Sequence, residues 1–490
     1  MNPTIDWAAL SPELILLGGA SVCLVFTLFL PWGWRRWFGA AVAALCFVGA
    51  GAAAIVLFTM DETGRGIVAD AIRRDRLAEL AQIFVAGSGL LAVGASLGWE
   101  PQARDRVGEF YALLLSAAAG MAFFVAASNL MTLFLGLEWF SISLYILTAI
   151  AVAWLPSLEA GLKYLIVGSF GSAILLFGSA FVYGATGSIG FSGIAAGADS
   201  ADRLFFVMGL ALILVGLAFK MSAAPFHMWT PDVYQGAPTP VTAFMSAATK
   251  VAALVATMRL LVTAFPGDAR LWTVALAVIA CVSLAWGNLA ALVQTDIKRL
   301  LAYSSISHAG FMLIPVAVGT SLGGRALLFY LLSYAAMSLG SFAIVAARER
   351  ELARSVTFDG LAGLGWERPL LGAAMSLFMF GFIGLPPAGL FLGKFYAFSA
   401  AVERGWTWLA IVGVVATVVS IYYYAGVIGA MYFRQPVEVR IAPAGGSPPR
   451  DLGLATTVAA AVVVTVGSFI AAGPLLTIAR DSVSFLGFPH

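Results

Sequence analysis

The sequence predicts an all-α polytopic membrane protein of about fourteen transmembrane helices. Its 490 residues are 61% hydrophobic and only 11% charged. A soluble domain of average composition carries roughly 25% charged residues, so this chain has less than half the charge that a soluble surface needs. Apolar runs of about 20 residues, the length that crosses a hydrocarbon core of roughly 30 Å, recur along the whole chain. The connections between these runs leave no room for a soluble catalytic domain.

The order of these runs predicts a repeated architecture. We number the predicted spans 1 to 14; they are 12–31, 37–60, 77–98, 109–127, 129–153, 158–184, 203–223, 238–264, 271–292, 298–318, 326–347, 369–400, 406–431 and 452–478. Glu138 and Lys220 lie 82 residues apart, and His308 and Lys394, five spans later, lie 86 apart. This spacing predicts two inverted five-helix repeats (spans 4–8, 109–264; spans 9–13, 265–431). Spans 1–3 (1–108) and the C-terminal span 14 (432–490) contribute few buried charges, so we expect them to form a scaffold.

Charge and cysteine content exclude several other classes of protein. The net charge is only +2 and the arginines are dispersed, so the chain lacks the clustered basic surface that nucleic-acid binding requires. The three cysteines lie in apolar runs without metal-ligand spacing, which argues against a disulfide framework or an iron-sulfur site. The first apolar run lacks the basic region and cleavage site of a signal peptide, so we expect it to be retained.

Basic residues in the connections predict the orientation in the membrane. Thirteen Lys and Arg residues, including Arg104, Arg440 and Arg450, fall in the odd-numbered connections, and nine fall in the termini and even-numbered connections. Cytoplasmic loops retain positive charge, so both termini are expected to face away from the cytoplasm.

Ionisable residues within or beside the spans are the candidate functional groups. Each one in a spanning helix costs at least about 2.5–3.5 kcal/mol on insertion scales and therefore requires a reason. They are Glu138, Glu159, Lys163, Lys220, His227, Lys250, Arg259, His308 and Lys394. We assign no role to Arg259.

Lysine is the informative residue type among them. Only five of the 27 basic residues are Lys, and four of these five lie inside apolar runs. Arg stays protonated in proteins, whereas burial can lower the pKa of a Lys by as much as 3–5 units, so a buried Lys can store and release a proton. A nearby carboxylate favours the ammonium form, and Glu138 is the expected partner of Lys220. Glu159 and Lys163, four residues apart on one helix face, either join this path or simply neutralise each other.

His227 and His308 extend the series of proton-carrying candidates. A neutral imidazole accepts on one nitrogen and donates from the other near physiological pH, which suits a relay, although a purely structural hydrogen-bonded His is the alternative. The third histidine, His490, is the last residue of the chain. No second ligand stands at metal-binding spacing from His227 or His308, so we expect no metal.

Prolines interrupt two of the predicted spans. Span 7 runs into Pro225, Pro231, Pro238 and Pro240, and span 12 contains the pair Pro386-Pro387. Such interruptions occur at membrane depth where protein or a water-filled cavity satisfies the freed backbone groups. A matched pair in two halves is typical of inverted-repeat transporters.

Three segments resemble a known family. They are FKMSAAPFHMWTPDVYQGAPTPVTAF at 219–244, followed by Lys250; DIKRLLAYSSISH at 296–308; and GLPP at 384–387 leading to GKFY at 393–396. They resemble the subunit N family of proton-pumping NADH:quinone oxidoreductase, respiratory complex I. A Lys at position 394 distinguishes the chain from the related subunit M, which carries Glu there.

The resemblance implies specific roles for these residues. Glu138 and Lys220 would form a switching pair, and Lys250 and His308 would connect this pair to a central polar axis. Lys394 would serve the half of the proton path through which protons leave. It also implies no cofactor in this chain, with NADH, FMN, iron-sulfur clusters and quinone in partner subunits, and subunits M, K, J and A and lipid as neighbours. A bacterial inner membrane is the expected location. Two alternatives stay open: a subunit of a multi-subunit sodium/proton antiporter, and a structural spacer whose charges only lock helices together.

Overall fold

The computed structural model describes residues 6–60, 65–68, 70–99, 106–435 and 451–488. Thirteen helices in these ranges are long and apolar enough to cross a membrane. One further predicted span consists of two shorter helices with a break between them, so the expected class of about fourteen spans is confirmed. Arg104, Arg440, Arg450 and His490 lie outside the described residues.

The N-terminal part contains three membrane-spanning helices and a short hairpin that the sequence analysis did not predict. The elements are α1 (Ser11–Phe29), α2 (Trp32–Thr59), β1 (Arg65–Ile67), β2 (Ile72–Arg74) and α3 (Arg76–Ser96). The two strands pair antiparallel. The backbone N–H of Arg73 donates to the carbonyl of Ala126 at 2.7 Å, which fixes the hairpin against the chain that follows the fourth spanning helix.

The first predicted repeat begins with α4 and ends with α11. Its elements are α4 (Val107–Val125), α5 (Leu130–Thr148), α6 (Leu155–Thr186), α7 (Phe191–Gly197), α8 (Arg203–Met221), α9 (Thr230–Gly236), α10 (Thr239–Phe244), a π-helical turn (Met245–Thr249) and α11 (Lys250–Ala264). Predicted span 8 therefore corresponds to α10, the π-helical turn and α11 together.

The second predicted repeat and the C-terminal helices follow. Their elements are α12 (Ala269–Ala291), α13 (Ile297–Val318), α14 (Ser321–Leu352), α15 (Phe358–Leu361), α16 (Leu364–Glu367), α17 (Pro369–Ile383), α18 (Gly389–Glu403), α19 (Thr407–Phe433), α20 (Leu452–Ile470) and α21 (Ala472–Val483).

Both predicted interruptions are present, and each begins where a residue adopts a left-handed backbone. Helix α8 is followed by Ser222, with φ of 61°, and α17 is followed by Gly384, with φ of 93°. Glycine adopts this conformation without the steric cost that Ser222 carries. Predicted span 12 is thus two half-helices, α17 and α18, rather than one kinked helix.

Side-chain caps set the start of several spanning helices. Asn129 accepts the backbone N–H of Thr132 at 2.7 Å at the start of α5, and Asp296 accepts that of Arg299 at 3.0 Å at the start of α13. The first N–H groups of a helix have no intrahelical acceptor, and such caps satisfy them for roughly 1 kcal/mol each.

The helices that carry the mid-span candidate residues lie at the centre of the fold. Residues of the Thr239–Ala264 span are buried throughout, and those of α13 and α14 almost throughout, whereas α2 and α6 face outward over most of their length. The centre is closely packed with Leu, Val, Met, Phe and Ala side chains. Lys250 and His308 are therefore enclosed by protein on all sides.

Candidate functional site

Lys220 lies in the last turn of α8 with its ammonium group inside the protein. Its Nζ donates to the hydroxyl of Ser141 on α5 at 2.8 Å and to that of Tyr164 on α6 at 3.2 Å. The same Nζ lies 4.3 Å from the centroid of the Phe140 ring, a favourable cation–π distance. A cavity lined by Lys220, Tyr164 and Trp229, among others, adjoins these groups. Two of the three ammonium donors are thus satisfied by neutral hydroxyls.

Glu138 lies on α5, one helical turn before Ser141, and does not form the expected ion pair with Lys220. Its Oε1 is buried and has no hydrogen-bond partner among the described residues. The carboxyl is nevertheless close enough to interact electrostatically with Lys220. The Lys220 ammonium group therefore bonds to Ser141 and Tyr164, and not to the neighbouring carboxylate.

Lys250 follows the π-helical turn in the middle of its span, with only 1% of its surface exposed. Its Nζ donates to the carbonyl of Met221 at 3.1 Å, and Met221 is the last residue of α8. The final carbonyls of a helix lack intrahelical donors and carry partial negative charge, so they attract a cation. The break after α8 thus supplies the acceptor for Lys250.

Lys394 on α18 repeats this arrangement in the second half of the chain. Its Nζ donates to the carbonyls of Phe382 and Ile383 at 2.9 and 3.0 Å, and these residues end α17. The ring centroid of Phe311 lies 4.1 Å from the same nitrogen. Each half of the molecule therefore places one buried Lys on the carbonyl end of a broken helix.

His308 lies in the middle of α13 within a chain of hydroxyl groups. Its Nδ1 is 2.7 Å from the hydroxyl of Tyr330 on α14, and its Nε2 is 3.0 Å from the hydroxyl of Tyr424 on α19. The Tyr424 hydroxyl also shares a hydrogen bond with Ser304. Hydroxyls both donate and accept, so the chain from Ser304 to Tyr330 accommodates either imidazole tautomer.

His308 and Lys394 are linked through one aromatic residue. The Phe382 ring lies 5.1 Å from the His308 ring, centroid to centroid, while the Phe382 carbonyl accepts a hydrogen bond from Lys394. The break in span 12 therefore lies level with the midpoint of α13. The Tyr334 ring also contacts the His308 ring at 5.1 Å, but its hydroxyl donates to Ser305 instead.

Three of the four remaining sequence candidates, Glu159, Lys163 and His227, lie apart from this central series. Lys163 contacts Glu159 at 2.7 Å and Asp232 at 2.8 Å, and its side chain is 44% exposed. Asp232 also pairs with Arg299 at 2.6 Å, which makes a four-residue network at one end of α6. His227 packs against Trp286, and its Nδ1 has no hydrogen-bond partner in the described part of the chain.

The sequence analysis missed the hydroxyl groups and the partner of Arg259. These hydroxyl groups lie in apolar helices, where a Ser or Tyr is usually a packing residue and gives no distinct sequence signal. They belong to Ser141, Tyr164, Tyr330 and Tyr424. Arg259 donates to both carboxylate oxygens of Asp75, 184 positions away, at 2.5 and 2.6 Å. The structure thus gives Arg259 a buried partner that its sequence neighbours do not suggest.

Fold and site together define a multi-pass membrane protein of the antiporter type, with two broken helices and a buried Lys/His series. The family described as NADH:quinone oxidoreductase/Mrp antiporter, TM, matches residues 127–420. The chain is 42% identical over 445 residues to NADH-quinone oxidoreductase subunit N of Trichlorobacter lovleyi, covering 89% of each protein. The chain belongs to the NADH-quinone oxidoreductase subunit N family.

Solved structures show the same architecture. A chain of respiratory complex I from Thermus thermophilus with bound aureothin is 33% identical with a TM-score of 0.79, covering 96% of this chain and 99% of that one. A chain of the Mrp complex from Dietzia sp. DQ12-45-1b is 21% identical with a TM-score of 0.86, covering 98% and 97% respectively, and shares the fold. Within the described residues, no group of three or more His, Cys, Asp or Glu side chains is arranged to hold a metal ion.

Proposed function

We propose that this chain is a proton-translocating membrane-arm subunit of NADH:quinone oxidoreductase, and that protons move through it along Glu138, Lys220, Lys250, His308 and Lys394. The observation that carries the proposal is the placement of three buried lysines and one histidine on acceptors that can exchange partners. Lys250 and Lys394 donate to backbone carbonyls at the ends of the broken helices. Lys220 and His308 form hydrogen bonds with hydroxyl groups.

The electrostatic energy between Glu138 and Lys220 is large enough for their approach and separation to drive proton transfer. Moving one proton against 100 mV costs about 2.3 kcal/mol. Bringing an opposite unit charge to about 4 Å changes the energy by about 4 kcal/mol at an effective dielectric constant of about 20. Approach and withdrawal of the Glu138 carboxylate therefore change the proton affinity of Lys220 by enough to drive one transfer.

The chain takes part in the reaction without redox chemistry of its own. In this proposal NADH, FMN, the iron-sulfur clusters and quinone belong to partner subunits, and electron transfer there alters the charge along the Lys/His series. We further propose subunits M, K, J and A as neighbours, the bacterial inner membrane as the location, and both termini on the periplasmic side. We also propose that the chain divides into N-terminal scaffold helices (1–108), two antiporter-like repeats (109–264 and 265–431) and a C-terminal helix (432–490).

Proton pumping by the reconstituted complex tests the proposal. We expect Lys220→Ala and Glu138→Ala to lower pumping at least tenfold in complexes that assemble normally, because both remove the switching pair. Gly184→Ala, at an open position on α6, is the control and should pump normally. Undiminished pumping by both variants at normal electron flux would contradict the proposal.

A subunit of a multi-subunit sodium/proton antiporter is the second candidate. The matched family includes Mrp antiporters, and the Mrp chain shares the fold. The 42% identity to a subunit N favours the first candidate. Purification of the tagged chain decides between them, since NADH dehydrogenase activity should co-purify only with a complex I subunit.

A further inference from the structure

A buried polar cluster lies in the N-terminal helices, where the sequence analysis expected few buried charges. That expectation is wrong: Glu13, Arg74, Asp75 and Glu79 are each less than 8% exposed. The sequence analysis missed the cluster because these residues stand near helix ends, where a charge normally reaches water. Here the β1–β2 hairpin folds over that end of the bundle, and Ile67 and Ile72 pack against the helices beneath it.

Glu13 is the member of this cluster without a charged partner. Its Oε1 accepts a hydrogen bond from Nε2 of Gln82 at 2.7 Å, while its Oε2 is buried with no partner among the described residues. Gln82 also approaches the carbonyl of Ala122 at 3.4 Å. The carboxyl group is therefore held by a neutral amide and not by a cation.

The charged residues that face Glu13 have other partners. A cavity under the hairpin is lined by Glu13, Gln82, Arg73, Arg74 and Glu79, together with apolar residues. Nε of Arg74 donates to Glu79 at 3.2 Å, and Nε of Arg73 lies 3.9 Å from Asp75. Glu79 lines the same cavity as Glu13, but its carboxyl group accepts a hydrogen bond from the Arg74 guanidinium group.

The protonation state of a buried carboxyl group depends on the charges and hydrogen-bond donors around it. Burying an ionised carboxylate without a cation or a full set of donors is strongly unfavourable, so such a group neutralises instead. A protonated carboxyl has one O–H donor and keeps acceptor capacity, which matches an oxygen bonded to Gln82 and a second one directed into a cavity. The polar groups that line part of the cavity also suit water through which a proton can exchange.

We propose that Glu13 is a proton-binding site separate from the Lys/His series: a neutral carboxylic acid that exchanges its proton through the cavity beneath the β1–β2 hairpin. The proposal stands independently of the route taken by pumped protons, because Glu13 lies in the scaffold helices and does not contact that series. It also makes Glu13 a modification site for hydrophobic reagents that require a protonated acid.

Labelling with dicyclohexylcarbodiimide tests the protonation state. The carboxyl proton moves to one carbodiimide nitrogen while the carboxyl oxygen bonds to the central carbon, and the adduct rearranges to an N-acylurea without loss of atoms. We expect mass spectrometry of labelled membranes to find the adduct on Glu13 at least tenfold above Glu79, the matched control in the same cavity. Glu13→Gln should abolish labelling of α1, the helix that contains residue 13. Equal labelling of Glu13 and Glu79 would overturn the proposal.

Infrared spectroscopy provides a readout that does not depend on access of the reagent. The difference spectrum between the wild-type protein and Glu13→Gln should contain the carbonyl stretch of one protonated carboxyl group, shifted by exchange into D2O. Assembly of Glu13→Gln should match the wild type, since the amide is neutral and similar in shape. A carboxylate band in place of the protonated band would overturn the proposal.

Discussion

Arg259 on α11 and Asp75 at the start of α3 are joined by two parallel hydrogen bonds of 2.5 and 2.6 Å, with both side chains almost fully buried. Asp75 also caps α3 by accepting the N–H of Ala78 at 2.9 Å, and Nε of Arg259 donates to the carbonyl of Val125 at 3.0 Å. Bidentate geometry and these additional hydrogen bonds help to offset the cost of burying the pair. This pair fixes the scaffold to the helix that begins with Lys250.

Removing one member of this pair should strongly destabilise the protein. Asp75→Ala leaves the Arg259 guanidinium buried without its carboxylate, a change that costs about 3–5 kcal/mol in comparable pairs. We expect a marked fall in the thermal inactivation temperature and in the yield of assembled protein. Arg480→Ala, which breaks an exposed pair with Asp481, is the control and should cost at most about 1 kcal/mol. Equal stability of the two variants would contradict the structural role of Asp75.

The hydroxyl groups on the two sides of His308 should be needed for proton movement. Tyr330→Phe and Tyr424→Phe each remove one hydrogen bond to the imidazole and keep the ring. Proton transfer by positioned groups contributes about 10²–10⁴-fold to rates, so we expect pumping to fall by about tenfold or more.

Tyr334→Phe is the matched control for these variants. Its ring contacts His308 at the same distance as that of Phe382, but its hydroxyl donates to Ser305 at 2.9 Å. Pumping within twofold of the wild type is expected. Equal losses in all three variants would show that the effect is on packing and not on the relay.

The Glu159–Lys163 pair should matter little for pumping. Its side chains are 60% and 44% exposed, and exposed pairs contribute at most about 1 kcal/mol. We expect Glu159→Gln and Lys163→Gln to pump within twofold of the wild type under conditions in which Lys220→Gln fails. A tenfold loss in either variant would place the pair on the proton path.

Close contact between α6 and α8 should be sensitive to a single methyl group. A Cβ at Gly209 would lie 2.8 Å from the carbonyl oxygen of Gly178, closer than such atoms approach. Overpacking of this kind costs about 1–3 kcal/mol, so Gly209→Ala should lower thermal stability and assembly. Gly184→Ala on the same helix pair meets no atom within 4 Å and should be neutral or slightly stabilising. Equal assembly of both variants would contradict the packing described here.

Local sequence patterns predicted the spans, both breaks and the buried Lys/His series, because these depend on hydropathy and on proline. The acceptors for those groups could not be predicted, since they come from residues far along the chain. Lys220, for instance, contacts Ser141 and Tyr164 on two other helices. The polar cluster around Glu13 was missed for a related reason: its burial depends on the hairpin, and no periodicity marks a three-residue strand.

Lys250→Arg tests the central claim most directly, because it keeps the buried positive charge and removes the ability to release a proton. The measurement is the ratio of protons pumped to electrons transferred by reconstituted complexes. A relay through Lys250 predicts a ratio clearly below the wild-type value in complexes of normal subunit content. Arg259→Lys, the opposite exchange on the same helix, should weaken assembly but leave the ratio per assembled complex unchanged. A wild-type ratio for Lys250→Arg would contradict the relay and support a structural role for the buried lysines.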